Sequence, residues 1–166
     1  MPQDFIGWFH TIAAIIALIT GSLVLAKTKG NKLHKIIGYI YAVSMLIVCA
    51  TAFMIYKVHG RFGILHFFAV ISTITLFLGM TPLLIKRKAD YIVQHLSWMY
   101  WSVIGLYCAF AAEVFTRLPL ILDIPNSYGI FYALVGLSAG AVGFVGSFYF
   151  KRKKRVWERT FSKVST

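Results

Sequence analysis

The chain has 166 residues, of which 59% are hydrophobic and 13% charged, and its net charge is +12, whereas soluble domains are about 45–50% apolar and about 25% charged. The composition excludes a soluble globular domain. Because the basic residues cluster at the ends of apolar runs, the charge reads as a topology signal and not as a nucleic-acid footprint.

Runs of about 20 apolar residues close their own backbone hydrogen bonds as membrane-crossing helices. Five are predicted, making residues 1–150 a single transmembrane domain. The first is Phe5–Ala26, preceded by Asp4 and by no Lys or Arg. No small-residue cleavage site follows a short apolar core, so the segment is expected to remain as a span and not act as a signal peptide. It carries His10 about one turn in. A connection with Lys27, Lys29, Lys32 and Lys35 leads to the second span, Ile36–Tyr56, with His34 just ahead of it. Lys57, His59 and Arg61 follow, and then the third span, Gly63–Ile85, opens with His66. Lys86, Arg87 and Lys88 separate it from the fourth, Leu96–Phe115, which has His95 just before it and Glu113 near its end. After Arg117 comes the fifth, Gly129–Phe150. Residues 151–166 form a basic tail that opens with "KRKKR" and is expected to face anionic lipid.

Positive residues mark the cytoplasmic side. The strongly basic first and third connections and the tail therefore lie inside, and the N-terminus outside. On that topology His10 and His66 fall near the outer face, and His34 and His95 near the inner one.

The chain also repeats itself weakly. "FHTIAAIIALITGSLVLAKTKGNKLHKIIGYIY" and "LHFFAVISTITLFLGMTPLLIKRKADYIVQHLSWMY" each hold an outer His, an apolar span with a late Gly, a basic connection and an inner His. The His separations are 24 and 29 residues. Two spans separate the halves, so they share one orientation, and parallel repeats are related by an axis along the membrane normal. Such an axis sets His10 against His66 and His34 against His95. The expected architecture is a four-helix bundle of two parallel pseudo-repeats plus one packing helix.

Ionisable groups inside a membrane point toward function, although a single His there often only bonds to a neighbouring helix. Two His per site suit six-coordinate haem iron. Structural zinc takes four protein ligands and catalytic zinc three. His10 stands 16 residues from the inner end of its span, about 24 Å along a helix, which suits a two-step electron path across the bilayer. Two b-type haems are therefore the leading cofactor expectation. Arg61 and Arg117 are candidates for propionate or anion contacts. The rival is a zinc or copper site of His10, His66 and Glu113, while Glu113 also stands four residues before Arg117, ion-pair spacing on a helix. A third reading makes the protein an accessory or assembly factor with structural histidines. No nucleophile–base set or phosphate loop is present, so an enzymatic role as a transmembrane oxidoreductase stays open, with electron donor and acceptor unassigned. Cys49 and Cys108 are isolated and are expected to pack as small hydrophobes. Gly136, Gly140, Gly143 and Gly146 form a small-residue stripe, expected to pack closely on the bundle or on a second copy.

The segments "KLHKIIG", "ILHFFA" and "VQHLSW" resemble the histidine segments of transmembrane dihaem cytochromes b of the b-561 type. The resemblance implies one haem between His10 and His66 and another between His34 and His95. The short first connection, and the absence of that family's usual preceding helix, depart from its pattern. A resemblance covering nearly the whole chain rests on "HKIIGYIYAVSM", "LHFFAVISTITLFLG" and "HLSWMYWSVIGLYCAFAAEVFTRLP". These segments are similar to the DUF2306 family of small bacterial membrane proteins. That resemblance implies a multi-pass fold in the bacterial inner membrane and no particular activity.

Overall fold

The computed structural model describes residues 5–55, 62–85, 90–121 and 128–161. They form five helices: α1 (Phe5–Ala26), α2 (Lys32–Ala52), α3 (Ile64–Ile85), α4 (Tyr91–Ile121) and α5 (Tyr128–Phe161). Each is long and apolar enough to cross a membrane, and no strand occurs among the described residues. The chain divides into two compact units, Met1–Leu76 and Phe77–Thr166, so the boundary falls inside α3.

Hydropathy located α1 and α3 to within a residue. The other helices run past the expected spans at their polar ends, because a helix outside the hydrocarbon layer needs no apolar side chains. α2 begins at Lys32, four residues before the expected Ile36, because Asn31 caps it. The Asn31 Oδ1 accepts from the His34 main-chain N–H at 2.7 Å, satisfying one of the orphan donors of a first turn. His34 therefore lies within the first turn and not ahead of the helix. α4 likewise starts at Tyr91, with the Gln94 Nε2 donating to Asp90 Oδ1 at 2.7 Å across its opening turn, which places His95 inside the helix. α5 does not stop at Phe150 but continues through the basic run to Phe161.

In the first unit α1 packs against α2. The face that α1 buries is narrow and small: Ala13, Ala17, Gly21 and Val24, at spacings of four, four and three. α2 buries Tyr41, Ser44, Met45, Val48, Cys49 and Thr51. Small residues on one side let backbones approach closely, the usual basis of helix association where lipid removes any hydrophobic advantage. Ile12, Ile15, Ile16 and Ile19 face outward, as expected of a surface whose solvent is acyl chain. The connection between the two helices is tight. Gly30 takes a positive φ of 85°, and the Lys29 ammonium donates to the Leu25 and Lys27 carbonyls, each at 3.0 Å. That places a cation on the last carbonyls of α1.

In the second unit α4 packs against α5. The Tyr100 hydroxyl donates to the Gly146 carbonyl at 2.8 Å, and Gly146 lies against α4. A Cβ there would stand 2.8 Å from Ile104 Cγ2. The expected four-glycine stripe is thus used at one position. A Cβ at Gly136, Gly140 or Gly143 would meet nothing within 4 Å, because the contacting face of α5 turns away from them. Both cysteines are buried, and the Cys108 thiol donates to the Ala139 carbonyl at 3.5 Å.

Candidate functional site: two oriented histidines

His10 sits in the second turn of α1 and is half-buried. Its Nδ1 lies 2.8 Å from Thr51 Oγ1 on α2. The Thr51 hydroxyl has one hydrogen, and its Oγ1 also lies 2.7 Å from the Ile47 carbonyl and 3.1 Å from that of Val48. Bonding of this kind back to the preceding turn is the ordinary habit of Thr in a helix. With its hydrogen on Ile47 O, Thr51 accepts from a protonated His10 Nδ1; in the other tautomer Thr51 donates to Nδ1 instead. In the first case Nε2 of the neutral ring is a lone-pair base.

His95, in the second turn of α4, is held in one tautomer. Its Nδ1 lies 2.7 Å from the main-chain carbonyl of Gly79 on α3. A carbonyl only accepts, so here Nδ1–H donates and Nε2 holds the lone pair. The approach depends on the absence of a side chain at Gly79. A Cβ there would stand 2.5 Å from Met99 Sδ and 3.0 Å from Met99 Cγ, and Met99 is four residues after His95 on the same face of α4. Pro82, inside α3, removes the N–H that would close on the Leu78 carbonyl. The ladder is opened one residue before the carbonyl that His95 uses.

His66 is arranged the other way. Its Nδ1 accepts from the Gly63 main-chain N–H at 3.2 Å, while its own main-chain N–H donates to the Gly63 carbonyl at 3.0 Å. This reciprocal pairing closes the first turn of α3 in the manner of a capping box. It puts the neutral ring's proton on Nε2. Phe62 lies against the ring, centroids 5.1 Å apart. The ring atoms Nε2 of His66 and Nδ1 of His34 are buried.

His10, His34 and His66 belong to the first unit and His95 and Glu113 to the second. Within either unit no three of His, Cys, Asp and Glu gather as a metal ion would require among the described residues. Arg61 lies outside the described residues, as does the side chain of Arg117.

Sequence reading had found the histidines but not what holds them. Thr51 and Met99 were assigned no role, and Gly79 entered only as the late glycine of the second repeat. The weak signals available were a Thr near the end of an apolar span and a Gly three residues ahead of a helix-internal Pro.

The family described as a predicted membrane protein, DUF2306, matches residues 7–152, nearly the whole of the chain. No curated protein and no solved structure matches it.

Proposed function

We propose that this chain, which belongs to the DUF2306 family of predicted membrane proteins, holds b-type haem on its membrane histidines and passes electrons across the bilayer. The observation that carries this reading is that Nδ1 of both His10 and His95 lies against an oxygen of a neighbouring helix. Metal-ligating histidines characteristically donate one ring N–H to an oxygen, which fixes the ring's orientation and directs the other nitrogen's lone pair at the metal. His95 does so through Gly79, and His10 through Thr51 when its proton is on Nδ1. One residue from each expected ligand pair, His10 of the outer and His95 of the inner, makes this contact.

The residues fit the group at these two positions, where Nε2 of each imidazole would hold it. His66 fits only if its proton moves to Nδ1 and the Gly63 bond is given up. Bound haem supplies reversible one-electron chemistry. The chain's own part is to hold the imidazoles in one rotamer and tautomer and to surround them with apolar helices that exclude water.

The His66–Gly63 pairing supports a second reading, in which the histidines are structural and the protein serves as an accessory factor. Visible spectroscopy of the purified, haem-supplemented protein separates the two. Sharp reduced-minus-oxidised bands that lose one component in His10→Ala and another in His95→Ala are expected. A colourless protein overturns the haem reading. If that protein carries stoichiometric zinc or copper, the smaller site of His10, His66 and Glu113 takes its place; if it carries nothing, the structural reading does.

A further inference from the structure

The last third of α5 is a helix with two unlike faces. Lys151, Arg152, Lys153, Lys154 and Arg155 are all exposed, as is Arg159, whereas Trp157 among them is only 5% exposed. Trp157 packs on Tyr100 of α4 and on Phe150, ring centroids 6.1 and 6.4 Å away. Tyr100 is itself tied to α5 through the Gly146 carbonyl. The basic segment is therefore held against α4 by an aromatic anchor, and its rotation about the α5 axis is set.

At about 100° per residue, Arg152, Arg155 and Arg159 fall within about 60° of one another, on the side opposite Trp157. Lys153 and Lys154 flank Trp157 instead, and Lys154 is paired with Glu158 at 3.8 Å. The three residues that share the outward stripe are all arginines. Their planar forks bind phosphate oxygens in pairs, which an ammonium does not. Depth agrees with this chemistry. Counting about 1.5 Å per residue from Phe150, Arg152 stands about 3 Å and Arg155 about 7.5 Å beyond the last apolar turn, within the headgroup layer and at its outer edge, whereas Arg159, about 13.5 Å out, lies past it. The polar headgroup layer is roughly 5–7 Å deep on each side.

We propose that Arg152 and Arg155 form a binding site for the phosphate of an anionic phospholipid in the leaflet where α5 ends, on a stripe that Arg159 continues outward and that Trp157 holds in place. The occupant is a lipid and not a free anion, because the stripe starts at the membrane surface and runs outward through the headgroup layer.

The test is native mass spectrometry of the full-length protein in detergent, titrated with phosphatidylglycerol or phosphatidylcholine. The wild type is expected to retain phosphatidylglycerol preferentially. A basic residue near the surface contributes about a fivefold change, so R152Q/R155Q should weaken phosphatidylglycerol retention by about 25-fold. K153Q/K154Q, with the same change in charge, should weaken it by less than about fivefold. R152K/R155K should fall between, since charge is kept and the fork is lost. Equal losses in the two glutamine pairs, or no preference in the wild type, would overturn the stripe. Displacement of the lipid by glycerol phosphate at matched concentration would overturn the assignment to a lipid.

Discussion

Gly79→Ala examines the contact on which the orientation of His95 rests. The new methyl would lie 2.5 Å from Met99 Sδ, 3.0 Å from Met99 Cγ and 3.3 Å from the Met99 main-chain nitrogen. The thioether can swing aside, but the main-chain nitrogen moves only if α3 and α4 separate. Inserting a methyl into a packed site costs about 1–3 kcal/mol. Separation also stretches the 2.7 Å bond from His95 to the Gly79 carbonyl, and side-chain bonds between membrane helices average about 0.6 kcal/mol, at most about 1.7. A loss of about 2–4 kcal/mol follows, with the larger share from overpacking. Reversible unfolding in mixed micelles titrated with a denaturing detergent measures it. The double variant Gly79→Ala/Met99→Ala locates the cause. Removing Sδ and Cγ leaves only the 3.3 Å approach, so the double should be more stable than the sum of the singles by about 1–2 kcal/mol, within the range seen for contacting pairs. A neutral Gly79→Ala, or strictly additive changes, would refute the proposed close approach and with it the account of how His95 is oriented.

Two further outcomes are expected. Thr51→Val keeps the shape of the side chain but removes the hydroxyl that meets His10 Nδ1; it should cost about 1 kcal/mol, shift the tautomer balance of His10 in nitrogen NMR, and be largely restored by Thr51→Ser. Gly146→Ala puts a methyl 2.8 Å from Ile104 Cγ2 and should destabilise by about 1–3 kcal/mol, whereas Gly140→Ala, in open space, should be neutral or stabilising by up to about 1 kcal/mol, the same unfolding assay reading both.

The two glycines show where the reading of pattern stops. Gly136, Gly140, Gly143 and Gly146 form a regular small-residue stripe in the sequence, yet only Gly146 lies against a neighbouring side chain. Gly79 belongs to no stripe and is the tighter contact. Spacing along one helix says which residues share a face but not which partner turns toward that face. The histidines divide in the same way. Their presence within or beside apolar spans was plain, and that was enough to nominate them. That Nδ1 of His10 meets a hydroxyl, that of His95 donates to a carbonyl and that of His66 accepts follows from single atoms: the Thr51 Oγ1, a carbonyl bared by glycine, and the N–H of Gly63 at a helix start.

The sequence by itself determined five membrane-crossing helices and membership of the DUF2306 family, because hydropathy and length are sums over local residues and the bilayer demands helix wherever they are met. It did not determine helix ends beyond the hydrocarbon, where the Asn31 cap and the Trp157 anchor act through individual hydrogen bonds and ring contacts. Tertiary structure alone decided the atoms that His10 and His95 meet, the glycine of the stripe that lies against α4, and the side of the basic helix that faces outward. Each depends on the identity of the atom nearest on another helix, and no periodicity within a single segment carries that information.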